Sequence, residues 1–497
     1  MALDNALSVP FRIPPELLCE IFKLLCFCDR VQATHVCKYW RTASLEHSRA
    51  LWSIIHSNGM KSGALGDQLA RTRGVPVDVA VLLKGTTMDE AMSAISAHLH
   101  HIRSLVLFTY DLGQGEVEME NIHQVYKYIA RPAPMLEELD IALAIPDYHP
   151  DDFRTNDRWE RWMRSRILAF DYTMPPDLFA GHAPRLRQAA WLVMELNPQG
   201  CAALSGLTRF AFEARRLLAS QLHIIVNCLP QLKCLLIEIH DFEGLPDSPR
   251  PETFVLDELY LSIPERGFLR DEEQDILPVL EYLGYTRIPR VVTYRFDKWL
   301  DCFTAPPRSL PHTLHLDALG FMSTSFWHMV DDRGFVSQGL RVPAHEMLDT
   351  PLGRHLFANL ETLVIETSVL LSHREFPPLP RLSHLCMRIR ERLSGVPPLK
   401  TPSEPVLDCP SVETLEIWWD SDQPTCDPGE ISRDLDFCLK SVSYNPDPPL
   451  HVILRGATPP SDELPHPSYT VTVSNEPVPE SFVAERGIRW HVHAAAD

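Results

Sequence analysis

The 497-residue sequence lacks the local signatures that most directly declare catalytic chemistry. It has no glycine-rich phosphate cradle, no His-Glu-x-x-His zinc helix and no Gly-x-Ser-x-Gly nucleophile turn. None of its twelve cysteines has another at the two-residue gap of zinc or dithiol motifs; the closest pair is Cys26 and Cys28. Buried free thiols are the expectation. The histidine groups His98, His100, His101 and His491, His493 lack a third ligand at metal spacing, so neither a metal nor another cofactor is predicted. There is no amino-terminal signal peptide, no apolar run near the ~20 residues that cross a bilayer, and no Asn-x-Ser/Thr sequon. These absences predict a reducing cytoplasmic and/or nuclear setting with no membrane partner. Excess positive charge is lacking too. The formal charge is −20, with six basic and five acidic residues through Asn58, so the acidity lies in the remaining chain and a nucleic-acid partner is not expected.

A 45% hydrophobic and 23% charged composition is that of ordinary folded protein, and the length exceeds what one core supports. Two or more domains, or a repeat array, are therefore predicted. The most informative stretch runs from Phe11 to Ser44. Its prolines suit a first helical turn, where amides have no intrahelical partner, so a helix is predicted from about Pro14. At 100° per residue, Leu17, Ile21 and Leu24 form one row and Leu18, Phe22 and Leu25 the next. This arc is wider than a short helix needs for its own core, which points to a second partner. Asp29 suits the cap of a second segment, with Ala33, Val36, Cys37 and Trp40 spaced as one buried stripe.

The order and spacing of Ile13 to Leu18, Glu20 to Phe22, Asp29, Val36 to Lys38 and Trp40-Arg41 resemble the F-box, and Leu51-Trp52 suits the form found in many fungal F-box proteins. Arg30 and His35 stand where that family usually carries an apolar residue. The resemblance implies a three-helix module that binds a Skp-family adaptor through Pro14, Pro15, Leu17, Leu18, Ile21, Phe22, Leu25, Val36, Cys37 and Trp40. Through that adaptor it implies a cullin-RING ubiquitin ligase, to which the rest of the chain brings an unknown protein substrate. In this role the chain performs no chemistry. Its contribution is proximity.

Beyond a connection and first helix at 58–75, Val77–Val81 alternates like a strand, Thr87 and Glu90 have capping-box spacing before a helix, and Ile102–Leu107 reads as the next strand. An apolar-x-x-apolar-x-apolar phrase then recurs, beginning at Leu136, Leu207, Leu232, Leu256, Val291, Leu360, Leu382 and Val412, with a weaker copy at Leu186. Prolines two residues before several copies bias each toward a loop that enters a strand. The phrase resembles the strand segment of leucine-rich repeats, without that family's asparagine ladder. Ile167–Phe170 and Thr313–Leu316 fit as hidden strands. The charged, tryptophan-bearing 147–166 and aromatic 321–345 segments read as insertions able to present function. The predicted class is α/β: an F-box at 1–57 (core about 11–45), then an irregular leucine-rich-repeat-like solenoid of short parallel strands at 76–444. A proline-rich 445–497 segment follows, extended or loose at 446–467, with possible last strands at Tyr469–Val473 and Ile488–Val492. A large α/β protein that merely has many strands, an interaction scaffold without a ligase role, and an enzyme are the alternatives.

Overall fold

The computed structural model describes residues 13–25, 27–46, 51–56, 63–84, 87–110, 116–142, 173–192, 195–214, 217–239, 242–262, 277–294, 311–318, 324–343, 348, 350–372, 376–390, 404–420, 428–456 and 469–474. Of the stretches singled out above, 147–166, Ile167–Phe170 and Ile488–Val492 lie outside them. The chain divides into two compact units at Val255/Leu256, within the span read as one array.

The first unit opens with three short helices, α1 (Pro15–Lys23), α2 (Phe27–Val36) and α3 (Lys38–Glu46). Seven strands follow: β1 (Ile54–His56), β2 (Val77–Lys84), β3 (Ile102–Tyr110), β4 (Glu138–Ala142), β5 (Gln188–Leu192), β6 (Arg209–Ala214) and β7 (Cys234–Ile239). Each pairs in parallel with the next in chain order. Helices α4 (Ala64–Arg71), α5 (Met88–His98), α6 (Glu116–Ile129) and α7 (Ala219–Cys228) lie between strands in sequence, as parallel pairing requires. Helix α5 starts where the capping-box spacing put it, but the Thr87 side chain makes no cap bond.

Register explains the recurring phrase. Val79, Leu105, Leu139, Ala189, Phe210 and Leu235 are successive cross-strand partners, and Val81, Leu107, Ile141, Trp191, Phe212 and Ile237 form the column two residues on. All twelve are buried, so alternate positions of each strand stack into one continuous core. In most copies the first apolar residue is buried just ahead of the strand. Its N–H donates three residues back, as in Leu136 to Ala133 (3.2 Å), Leu186 to Ala183 (3.0 Å) and Leu207 to Leu204 (3.0 Å). The next residue's N–H reaches the residue just before the preceding strand, as in Arg187 to Glu137 (2.9 Å) and Thr208 to Arg187 (2.8 Å). Main-chain groups therefore satisfy one another at each entry. After β5, buried Gln221 accepts from Leu196 N (2.7 Å) and Asn197 donates to Met174 O (3.1 Å), so individual side chains act where an asparagine ladder is lacking.

In the second unit the paired order is β8 (Glu258–Ser262), β9 (Arg290–Tyr294), β12 (Val336–Pro343), β11 (Thr324–Val330), β10 (Thr313–Ala318), β13 (Thr362–Glu366), β14 (His384–Arg390), β16 (Thr414–Asp420), β18 (Leu450–Arg455) and β19 (Tyr469–Ser474). Only the β10–β11–β12 pairings among these are antiparallel. A second, two-stranded pairing joins β15 (Leu407–Asp408) to β17 (Val442–Ser443). Each unit is thus built on a parallel-rich α/β sheet.

Three expectations are corrected here. Val291 pairs with Leu259, not with the first apolar residue of its neighbour, so the phrase in β9 begins at Ile288, whose N–H donates to Tyr285 O (3.1 Å) in the usual manner. The 321–345 segment carries a β-hairpin inserted between β9 and β10, with Trp327 and Met329 buried in the core columns. Its turn is held by Asp331, which accepts from Arg333 N (3.0 Å) and Phe335 N (2.8 Å). Within 446–467, Leu450–Arg455 is a fully integrated strand, because Leu450, Val452 and Leu454 continue the buried columns; with β19 it carries the sheet past residue 444.

Candidate docking surface

Helix α1 begins on Pro14-Pro15, with Leu18 N donating to Pro14 O (3.0 Å). Its two apolar rows separate, with Leu25 at the end of the inner row half-buried. Leu18 and Phe22 are each 1% exposed and pack with Cys19, Ala33, Ala43, Leu51 and Trp52 in the module's own core. Leu17, Ile21 and Leu24 are 57%, 46% and 86% exposed, and Val36 at the end of α2 is 64% exposed. Leu24 was not among the predicted docking residues. Its signal was its place in the Leu17 row.

The core side is cross-tied. The Phe22 and Trp40 rings meet edge to face at 5.1 Å. Tyr39 Oη donates to Ile13 O (2.7 Å), and Trp52 Nε1 donates to Ser44 O (3.1 Å). Burial, reinforced by Glu20 and Glu16, raises the Cys19 thiol above its ordinary range, which suits a packing role. Arg30 has a local explanation: its guanidinium donates to Leu25 O (3.1 Å) and Leu51 O (2.8 Å), tying the end of α1 to the segment after α3. His35 is exposed.

The predicted stripe through Ala33, Val36, Cys37 and Trp40 is not one stripe. The helix breaks at Cys37, whose carbonyl accepts from Arg41 N (3.1 Å) and whose Sγ lies 3.5 Å from Trp40 N, so Cys37 opens α3 instead of continuing α2. Ala33 remains inside, Cys37 and Trp40 are half-buried, and Val36 turns outward. Helix α2 also begins at Phe27, ahead of the expected Asp29 cap. Of the predicted residues, Pro14, Leu17, Ile21 and Val36 are exposed; Pro15, Leu25, Cys37 and Trp40 are half-buried; Leu18 and Phe22 are core.

Residues 11–57 match the model of the F-box-like family. Such domains are typically non-catalytic modules for protein–protein interaction, most often in Skp-cullin-F-box ubiquitin ligases, and they generally bind Skp-type adaptors. The chain carries an F-box-like domain at residues 11–57, within the first of its two compact units, each of which is built on a parallel-rich α/β sheet. No curated protein matches the chain.

Proposed function

We propose that this chain is the substrate-receptor subunit of a Skp-cullin-F-box ubiquitin ligase. The observation that carries this reading is the exposed row Leu17, Ile21 and Leu24, joined by Val36, beside a module core that is already filled by the other row. A row not needed for folding is available for a partner. Fully burying each such side chain is worth on the order of 1.5–3 kcal/mol, from which association costs are subtracted. Leu18 and Phe22 support the site from beneath. The parallel-rich strands that follow the module in the chain would select a protein substrate and hold its lysine near ubiquitin carried elsewhere in the ligase.

The test is co-purification of a Skp-family adaptor with the natural chain and with Leu17→Asp/Ile21→Asp. Capture by the natural chain and loss in the variant are expected. Failure of the natural chain to bind any such adaptor would remove the ligase reading, whereas binding that survives the substitutions would move the site.

A further inference from the structure

Outside the docking module, residues 242–255 hold a second feature that the ligase reading does not use. The loop follows β7, runs without helix or strand, and carries Leu245 and Val255 as exposed large apolar side chains. Its start is tied to the segment before α7, where Glu243 N donates to Leu217 O (3.0 Å), and near its end a local turn closes with Phe254 N donating to Pro251 O (3.1 Å). Between them lies Asp247-Ser248-Pro249-Arg250, with Asp247 and Pro249 exposed and Ser248 half-buried.

Ser248 Oγ lies 3.0 Å from Nδ1 of His223 on α7. The same Nδ1 lies 3.2 Å from Nδ2 of Asn227, which can only donate, so Nδ1 accepts and the serine hydroxyl is the donor. Four Ser-Pro or Thr-Pro steps occur in the sequence, at Ser248, Thr350, Thr401 and Thr458. Of the two among the described residues, Thr350 is committed to a helix cap, its Oγ1 accepting from Gly353 N (3.0 Å). Ser248, half-buried and bonded to His223, sits on a loop without helix or strand between exposed Asp247 and Pro249, and a basic residue follows the proline.

We propose that Ser248 is a phosphoacceptor for a proline-directed serine/threonine kinase, and that its phosphate docks onto α7 through His223. In the transfer, Ser248 Oγ forms a bond to the γ-phosphorus of ATP as the bond to the ADP oxygen breaks, and the hydroxyl proton passes to the kinase's base. The product replaces a neutral donor with two negative charges and strong acceptors. His223 faces it directly, Arg250 lies two residues along the loop, and exposed Asp247 opposes it, so an N–H donated from His223 Nδ1 is what binds the phosphate. The inference is independent of adaptor docking.

The full chain is incubated with Mg-ATP and a purified proline-directed kinase that labels a control Ser-Pro peptide, then mapped by mass spectrometry. Phosphate at Ser248, lost in Pro249→Ala and in Ser248→Ala, is expected. In phosphorus NMR of the labelled chain, the phosphoserine should titrate below its ordinary midpoint of about 6 and return toward it in His223→Ala. No phosphate at Ser248 overturns the proposal, as does labelling that ignores Pro249→Ala. A phosphoserine that titrates alike with and without His223 overturns the docking half.

Discussion

The two rows of α1 have opposite jobs, so substitutions on one row and on the other should fail in different ways. Phe22→Ala empties a site lined by Leu18, Trp40 and Trp52 and should cost the module about 3–5 kcal/mol, read as a lowered denaturation midpoint. Leu17→Asp should leave that midpoint nearly unchanged while abolishing adaptor capture. Arg30→Leu restores the residue type usual in the family, yet it removes donors to Leu25 O and Leu51 O; a loss of about 1–3 kcal/mol is expected in urea denaturation. The helical period of α1 was readable from sequence, but which row faces inward was not. That choice is made by Ala43, Leu51 and Trp52, whose approach no local pattern encodes. The break at Cys37 was hidden for a similar reason, since apolar spacing continues across it. Backbone strain is equally invisible in sequence: Phe179, Ala180 and Gly181 are consecutive left-handed residues at φ 54°, 50° and 71°. Ala180 is exposed, so Ala180→Gly should stabilise the first unit by about 1 kcal/mol, measured by the same denaturation.

At the scale of elements, the strands were the most legible part because inward positions alternate and stack. The second apolar position of every copy of the phrase, the weak one at Leu186 included, lies on a strand, as does the hidden strand at Thr313–Leu316. The copy at Val291 misled because Tyr294 and Phe296 imitate the spacing, while Thr293 takes the inward place opposite Leu261. The outward face is harder to read. In β14, β16 and β18 it holds a network centred on Glu416, which accepts from Trp418 Nε1 (2.8 Å) and from Arg455 Nε (3.1 Å) and Nη2 (3.2 Å), beside the buried Val364, Cys386 and Trp418. Alternation marks Glu416 as a solvent-facing position, yet it is buried. Removing it takes the bidentate carboxylate from a largely buried guanidinium and the acceptor from an indole donor, so Glu416→Ala should destabilise the second unit by about 3–5 kcal/mol. Pairing it with Arg455→Met should return a substantial part of that loss in a double-mutant cycle. Simple addition of the two single losses would show that the cross-strand pair is not the source.

Across the whole molecule, both units bury histidines that folding keeps neutral. In the first, Thr72 Oγ1 donates to Leu69 O (2.7 Å), so it accepts from His101 Nε2 (3.1 Å), and His101 Nδ1 in turn accepts from His100 Nε2 (3.1 Å). Burial, with His100 and His98 adding, lowers His101 to about 4. In the second, His315 and His328 are cross-strand partners with rings 5.1 Å apart. Burial lowers His315 to about 3, helped by His328 and Arg388, and lowers His328 to about 4, helped by Arg290. The unfolded chain takes up these protons near the ordinary histidine value of about 6.5, well before the folded chain does. Stability from these sites is therefore complete above that value and declines as pH falls toward 4 and then 3, where the slope vanishes once both states are protonated. Urea midpoints measured at intervals between pH 7 and 4 should fall steadily for both units. His101→Gln should flatten that slope in the first unit while leaving it in the second. A slope unchanged by that substitution would assign the acid sensitivity to other groups, whereas selective flattening would tie it to the His100–His101–Thr72 chain.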